Sequence, residues 1–321
     1  RVSRGLGDVY KRQDIGYAYG KVSLKDIFVE RQFSSHALLR VGNFVHQFGL
    51  QSSTSSSMKV TMEEPASNEA FFNSRLMGAM FVYDKNDFFG TASVHVESEA
   101  LKKKSNELGK MGYGAMSRLV YRPLHDTGRL FQLGISGAYE TPRYNSEPTL
   151  NHTSFDLGAN FPTRIAKVRA VNALIPDAKN LIKFTPEMIA GYGPVALEAQ
   201  YYYLQVNREK DFKNYKASGM YGILRGLLIG GNYRYSHTDC GIATPDSGSL
   251  ECVFGYNYTD MSDTRSHIYG GRLNDVSFTV NYYINKYMIW RFRYSYTKIT
   301  DRVGFENQSL SAFQTRFQVI F

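Results

Sequence analysis

The end of the chain alternates strictly between two kinds of side chain. In the closing stretch SAFQTRFQVIF, every second position from Phe313 to Phe321 is Phe, Thr or Val, and the positions between them carry Gln, Arg, Gln and Ile. Because side chains alternate between the two faces of a β-strand, the stretch predicts a strand with one mostly apolar face and one mostly polar face. A terminal strand of this kind with a final aromatic residue is typical of outer-membrane β-barrels, which turn apolar residues to lipid and polar residues inward.

The same alternation recurs along the chain, and no helical period of useful length accompanies it. In WRFRYSYTK, for example, aromatic residues occupy one face while Arg, Ser and Thr occupy the other. No run of 18 apolar residues is available for a transmembrane helix, whereas a barrel strand needs only about 9–11 residues. We therefore predict an all-β fold, a transmembrane antiparallel β-barrel. The predicted strands span 15–30, 36–47, 74–83, 87–99, 110–122, 128–142, 152–162, 164–174, 181–191, 194–207, 214–229, 248–261, 270–285, 287–299 and 308–321.

The predicted connections alternate between short and long, as in barrels with short periplasmic turns and long external loops. The short ones lie at 84–87, 122–128, 193–194 and 285–286, and the longer ones at 48–73, 100–109, 143–151, 208–213, 262–270 and 300–307. The segment 230–247 breaks the rule, because it is long yet falls on the periplasmic side. Since single-chain bacterial barrels have even strand numbers, about 15 recognisable strands indicate a 16-stranded barrel of porin size.

The chain opens with RVSRGLGDVYKRQ instead of the signal peptide that an outer-membrane protein requires. This string resembles translated adapter sequence at the ends of shotgun-assembled reading frames. We therefore predict that residues 1–13 are a non-native leader and that the native protein begins further upstream. Residues 14–321 are then expected to form a single barrel domain.

The composition fits a barrel and gives the chain a basic surplus. The 24 Tyr and 21 Phe fit aromatic girdles at the two membrane interfaces, although a soluble β-sandwich of this length could carry as many. The net charge is +9, and Lys and Arg are scattered along the chain rather than gathered in a tail. With no nucleic-acid motif among them, the surplus indicates anionic lipid headgroups or an anion pathway, and no nucleic-acid partner is expected.

Motifs of catalysis and metal binding are missing from the sequence. It contains no HExxH pair, no GxSxG elbow, no GxxxxGK[ST] loop and no CxxC. Cys240 and Cys252 flank a turn-rich segment, and they either bridge a short loop or remain two unpaired thiols. We predict that the protein is not an enzyme and uses no cofactor or metal.

Several arginines fall on the polar parity of their strands. By alternation, Arg40, Arg118, Arg122, Arg291, Arg293 and Arg316 point inward, and Arg75 lies where the long connection 48–73 rejoins the wall. The planar guanidinium binds two oxygens of an oxyanion at once, so such a row suits the guidance of anions. The alternative is structural pairing across the lumen, for which Glu97, Glu140 and Glu198 are the candidate partners.

Ordered segments of the chain, from about residue 15 to 321, resemble the phosphate-selective porin O and P family. LLRVGNFVHQFGLQSSTSS resembles the strand that leads into the family's long third loop, and TMEEPASNEAFFNSRLMGAMF resembles the return of that loop. YGPVALEAQYYY, LLIGGNYRY, GGRLNDVSFTVNYYIN and FQTRFQVIF follow in the family's order. The chain is identified on these segments as a member of the family, in a Bacteroidetes-like version.

The resemblance implies a 16-stranded barrel in the bacterial outer membrane, often trimeric, through which anions diffuse passively. It also implies that the loop 48–73 folds inward as the constriction, with Lys59, Glu63 and Glu64 as its charged residues. Glu64 stands where family members commonly carry Arg, which bears on selectivity for phosphate. The implied partners are outer-membrane lipid, small anions, further copies in a homotrimer, and the barrel assembly machinery, which recognises the terminal strand ending at Phe321.

The expected function is passive diffusion of small hydrophilic solutes, with a preference for phosphate-like anions. Two alternatives remain at this stage. One is a non-selective or plugged outer-membrane barrel with a structural or adhesive role. The other is a soluble β-rich binding or hydrolytic protein.

Overall fold

The structure is a computed structural model. It describes residues 2–6, 9–18, 21–54, 58–72, 75–98, 111–163 and 168–320, with the backbone alone for 2–6, 15–18, 21–24 and Ser53. Phe321, the predicted recognition residue of the last strand, lies outside the described residues. No helix in the described part of the chain is long and apolar enough to span a membrane.

Strands make up most of the described chain. They are β1 Val2–Leu6, β2 Val9–Ala18, β3 Lys21–Ser34, β4 Ala37–Phe44, β5 Leu76–Lys85, β6 Phe88–Val96, β7 Tyr113–Asp126, β8 Arg129–Glu140, β9 Phe155–Asn160, β10 Arg169–Ile175, β11 Ala178–Tyr192, β12 Val195–Arg208, β13 Tyr215–Ile229, β14 Tyr235–Ser236, β15 Gly241–Ile242, β16 Leu250–Asp263, β17 Ile268–Asn285, β18 Met288–Arg302 and β19 Gln308–Val319. Two short helices, α1 Leu50–Ser53 and α2 Ala66–Phe71, interrupt the series between β4 and β5.

Fifteen of the strands form one antiparallel sheet. Sequence neighbours pair throughout, except that β8 pairs with β11 and β13 pairs with β16. The skipped strands form two separate hairpins, β9 with β10 and β14 with β15. The prediction of an all-β antiparallel barrel with about 15 strands is confirmed.

Three predicted strands are wrong in detail, although the total agrees. The predicted strand 15–30 is two strands, β2 and β3, separated at residues 19–20. The predicted wall strands 152–162 and 164–174 form the hairpin β9–β10 instead, which pairs with no strand of the main sheet among the described residues. The alternation of these two segments resembles that of a wall strand, but both contribute to a core packed inside the sheet. Strands β1 and β2 include residues 2–6 and 9–13 of this segment, and the prediction that 1–13 is a non-native leader stays a prediction.

The sheet curls around material in its interior. Residues from the connection between β4 and β5 bond to strands that are far apart in the sheet order: Gly49 N–H to Ser136 Oγ on β8 at 3.0 Å, and the Lys59 carbonyl to Arg291 Nη1 on β18 at 2.7 Å. We call this connection, residues 45–75, the inner loop. One segment can touch β8 and β18 at once only if the sheet encloses it.

The two faces of the sheet have inverted polarity relative to a soluble protein. On β18, Arg291, Arg293, Ser295 and Thr297 are buried against the interior, whereas Trp290, Tyr294 and Tyr296 are 44–49% exposed on the outside. The same parity holds across the sheet, with outward residues such as Phe184, Leu224, Phe254 and Phe278 half exposed. An apolar outside and a polar inside are what a barrel in lipid requires.

The ends of the barrel differ in their connections. One end, which we call the short-turn end, carries turns at 35–36, 86–87, 127–128, 193–194 and 286–287. The other, the long-loop end, carries the inner loop and the connections 97–112 and 141–177. The predicted long connection 262–270 is wrong, because β16 and β17 extend to leave only 264–267 between them.

The segment 230–249, at the short-turn end, folds back into the barrel. We call it the returning loop. Tyr233 is 2% exposed and packs against Leu130 and Ile189, and Cys240 is 1% exposed between Phe89 and Val120. Both Cys240 and Cys252 are free thiols. The length of this segment, anomalous in the sequence, is explained by its inward course.

Candidate pore lining and central cavity

Arg118 lies at the centre of a fully paired cluster inside the barrel. It projects inward from β7, and its Nε and Nη2 donate to the two oxygens of Glu187 on β11 at 3.1 and 2.7 Å. Its Nη1 donates to Gln47 of the inner loop at 2.9 Å. Both side chains of the Arg118–Glu187 pair are 0% exposed. The guanidinium is therefore committed to holding β7, β11 and the inner loop together.

Arg122 anchors the returning loop. Its Nη2 pairs with Asp84 and its Nε donates to the Asn86 carbonyl at 3.1 Å, while its guanidinium lies 5.5 Å from the centre of the Tyr235 ring. Tyr235 in turn lies within 3.2 Å of Cys240 Sγ. Burial is the main reason that the pKa of the Cys240 thiol is raised. The short-turn end is thus closed by a loop that packs on structural arginines.

Arg293 and Arg316 hold the far wall against inward segments. Arg293 Nη2 contacts Asp275 Oδ2 at 3.2 Å, and its Nη1 donates to the Pro162 carbonyl at 3.0 Å. Arg316 Nη2 donates to Glu63 Oε1 of the inner loop at 3.1 Å. Both arginines therefore have carboxylate partners, which reduces the charge that they offer to a passing anion.

The predicted charged residues of the inner loop are all buried or half buried in the lumen. Lys59, 3% exposed, donates through Nζ to the Gln51 carbonyl, and Glu63 is 4% exposed. Glu64 accepts from the Asn68 amide at the start of α2. Their interactions fix the shape of the loop.

Arg40 and Arg75 lie away from the other arginines, at the N-terminal part of the sheet. Two nitrogens of Arg40 donate to Glu30 Oε2 at 2.9 and 2.8 Å, and its guanidinium lies 4.4 Å from the Phe28 ring centre. Arg75 Nε donates to Asp26 Oδ1 at 2.7 Å. The structure does not bring these two into the group formed by the inner loop and β16–β19.

Arg291 differs from the other predicted arginines. It projects inward from β18, is 1% exposed, and bonds through Nη1 to the Lys59 carbonyl at 2.7 Å. No carboxylate of the described chain lies within ion-pair distance of it, and its Nε has no hydrogen-bond partner there. A buried guanidinium without a counter-charge is costly unless something else neutralises it.

Arg291 lines a cavity of about 150 Å³ between the inner loop and the returning loop, which we call the central cavity. The inner loop forms one side through Gln51 and Lys59, the returning loop another through Asp239 and Thr244, and the wall contributes Glu198, Arg225 and Tyr283. Two larger spaces lie towards the long-loop end, of about 380 Å³ beside Lys183 and Arg143 and about 230 Å³ beside Glu69. The central cavity is the smallest of the three and the one that both inward loops border.

Sequence reasoning missed several residues of this lining. Glu187, Arg225 and Glu251 all project inward, and Arg225 Nε pairs with Glu251 Oε1 at 2.8 Å with neither side chain more than 5% exposed. Arg225 shares its face with the apolar Tyr221 and Ile223, so alternation gave no polar signal there. Of the three carboxylates proposed as partners, Glu140 pairs with Lys183 at 2.8 Å, whereas Glu198 has no ion pair in the described chain.

A metal centre is not among the features of the described residues, because no three His, Cys, Asp or Glu side chains gather closely enough there to hold an ion. The chemistry of the lumen is that of charge and hydrogen bonding.

Comparison with known families gives a match over almost the whole chain. The family model described as "Phosphate-selective porin O and P" matches residues 3–321. Among the curated proteins, none matches this sequence.

Solved structures of an outer-membrane protein of Vibrio cholerae share the fold. The loop L8 deletion mutant of OmpT superposes with a TM-score of 0.60 at 10% identity, covering 98% of this chain and 88% of that one. OmpT expressed in the outer membrane gives 0.56 at 10% identity, covering 98% and 84%. In-vitro folded OmpT in its trimer form gives 0.52 at 11% identity, covering 97% and 84%. At such identities the likeness concerns the fold alone.

Proposed function

The chain belongs to the phosphate-selective porin O and P family of the bacterial outer membrane, and from that membership we propose how its channel works. Small hydrophilic solutes diffuse passively along the lumen, with a preference for anions. The proposal assigns the protein transport and no catalysis. The soluble β-rich alternative is overturned by the family match.

The observation that carries the proposal is the inverted polarity of the sheet. Serine, threonine, glutamine and charged side chains face inward along β7, β11, β12 and β16–β18, around spaces that both inward loops leave open. If the barrel interior were packed like the core of a soluble protein, its polar groups would cost free energy unless each of them was hydrogen-bonded. It suits a conduit for water and solutes.

The anion preference rests on Arg291 rather than on the whole predicted row. Arg118, Arg122, Arg293 and Arg316 each have a carboxylate partner, which cancels much of their field. Arg291 has none in the described chain and lines the smallest of the three spaces. An inward arginine without a carboxylate of its own keeps more of its field for a passing anion than an arginine that is paired.

One observation favours a second candidate, the plugged barrel. The inner loop, the returning loop and the hairpin β9–β10 all occupy the lumen, and Phe48, Phe71, Val171 and Ile175 are at most 2% exposed. A barrel filled in this way could serve a structural role without passing solute.

Current through a planar lipid bilayer separates the two. A channel of the proposed kind carries a steady current under a KCl gradient, and its reversal potential is shifted towards the equilibrium potential of chloride. Silence of the purified, membrane-inserted protein, verified by its heat-dependent gel mobility, would favour the plugged barrel.

We further propose that the protein forms a homotrimer through the outward face of β5–β8. Small side chains lie side by side there, Ala79, Ala92, Ala115, Ser117 and Gly137, and leave grooves of about 650 and 830 Å³. Small residues allow close approach of proteins in lipid, and one similar structure is described as a trimer form. Native mass spectrometry in detergent should give three copies for the wild type and fewer for Ala115→Trp. The remaining proposed partners are lipid on the rest of the outward face and the barrel assembly machinery at the terminal strand.

A further inference from the structure

The central cavity is lined by a buried arginine and a buried glutamate that form no ion pair within the described part of the chain. We propose that it is a binding site for a small zwitterion of the α-amino-acid class, whose carboxylate bonds to Arg291 and whose ammonium group bonds to Glu198. The inference deepens the proposed porin function and rests on it, because the site lies on the route through the barrel.

Arg291 supplies the anion-binding half. Its side chain is 1% exposed and borders the cavity, and its only hydrogen bond in the described chain uses Nη1. Nε is buried without a partner. Nη2 makes no hydrogen bond within the described chain, so the planar guanidinium can still present this donor to a carboxylate, and such a charge-assisted contact would neutralise it.

Glu198 supplies the opposite half from β12. It is 7% exposed and borders the same cavity, and its hydrogen bond in the described chain comes from Gln51 Nε2 to Oε1 at 2.8 Å. It has no ion pair in that part of the molecule. Since Oε2 has no hydrogen-bond donor there, the carboxylate keeps acceptor capacity for an ammonium group.

Neither of these two residues forms an ion pair with a neighbouring charge in the described chain. Arg225 is committed to Glu251, which also accepts from Tyr233 and Tyr283 at 2.8 Å each and from Asn281 at 3.0 Å. Glu251 thus already accepts four hydrogen bonds, and no ion pair joins it to Arg291 in the described chain. A closed network of this kind beside two unpaired charges distinguishes a site from a merely charged wall.

The size and remaining lining fit a small solute. The cavity of about 150 Å³ is below the roughly 300–1,000 Å³ of pockets that hold drug-sized ligands. Leu50, Val60 and Ile242 give it an apolar part, where a short aliphatic side chain can lie. A simple inorganic anion would leave both this patch and Glu198 unused.

The test compares three solutes of similar size as blockers of KCl current in a planar bilayer at constant ionic strength: alanine, propionate and ethylamine. We expect alanine to half-block the current at about tenfold lower concentration than either analogue, because each hydrogen bond to a charged group contributes about that factor. Equal half-block concentrations for all three would overturn the inference. Absence of any current in the wild type would instead remove the proposed porin function on which the inference depends.

Two variants assign the halves of the site. Glu198→Gln should raise the half-block concentration of alanine to that of propionate, and Arg291→Gln should raise it to that of ethylamine. Arg291→Lys, which keeps the charge, guards against a loss of folding and should retain part of the preference for alanine. The matched controls are Glu209→Gln and Arg272→Gln, whose side chains lie outside the lumen in exposed ion pairs. Loss of the preference in these controls as well would contradict the assignment.

Discussion

Arg118 and Arg291 both project into the barrel from wall strands, but their surroundings differ. Both are at most 1% exposed. Arg118 meets a carboxylate with two nitrogens, whereas the hydrogen bond that Arg291 makes within the described residues goes to a backbone carbonyl. The difference teaches that burial of an inward arginine does not identify its role. The presence or absence of its own carboxylate separates an arginine that holds the wall from one available to a solute.

The largest expected effect is the loss of protein stability when the paired arginine, Arg118, is replaced. Arg118→Gln leaves Glu187 as a buried charge without its cation, so the free energy of unfolding should fall by about 3–5 kcal/mol. Arg291→Gln leaves no carboxylate behind and should change it by about 1 kcal/mol or less. Unfolding by guanidinium chloride in detergent micelles, followed by the fluorescence of Trp290, measures the free energy of unfolding of both variants. Equal losses would erase the distinction between the two arginines.

A smaller effect is expected where the inner loop begins beside the central cavity. Gly49 has a φ of 79°, and a Cβ there would overlap the side chain of Gln200. Gly49→Ala should therefore lower the free energy of unfolding by about 1–3 kcal/mol and change the single-channel conductance. Gly304 is the matched control, since its φ is 71° but nothing surrounds a Cβ there. If Gly304→Ala changed the conductance equally, the conductance would not depend on the position of the inner loop.

The smallest effect concerns the packing of the returning loop on Arg122. Because burial raises the pKa of the Cys240 thiol, its reactive thiolate should form only at higher pH than that of an exposed thiol. In a Cys252→Ser background, the rate of labelling by a methanethiosulfonate should keep rising above about pH 9, the range in which an ordinary thiol is already ionised. Ser247→Cys in the Cys240→Ser, Cys252→Ser double mutant provides the exposed reference in the same loop. Identical pH profiles would show that the loop does not stay packed in the lumen.

The sequence predicts which side chains of the wall point inward, but not which of them form ion pairs with one another. Strand periodicity alone places Arg118, Arg291 and Arg293 on the polar parity, because alternation is a local property of the backbone. Glu187 lies 69 positions from Arg118, and their contact depends on which strands become neighbours once 141–177 leaves the wall. Alternation could not predict this departure from the wall, because the sequences of β9 and β10 alternate as those of wall strands do. The lack of ion pairs at Arg291 and Glu198 in the described chain could not be predicted either, because it depends on which charged side chains the neighbouring strands place within reach.

Reversal potentials in planar bilayers test the central claim most directly. Wild type, Arg291→Gln and the double variant Glu63→Gln, Arg316→Gln are compared under one KCl gradient, the last removing an inward arginine together with the carboxylate that it pairs with. We predict that Arg291→Gln lowers the chloride-to-potassium permeability ratio by up to about fivefold, the factor for the roughly 1 kcal/mol between water-screened unit charges at contact. The double variant leaves the net charge of the lumen unchanged and should leave the ratio close to that of the wild type. An unchanged ratio in Arg291→Gln, or the same fall in both variants, would contradict the account.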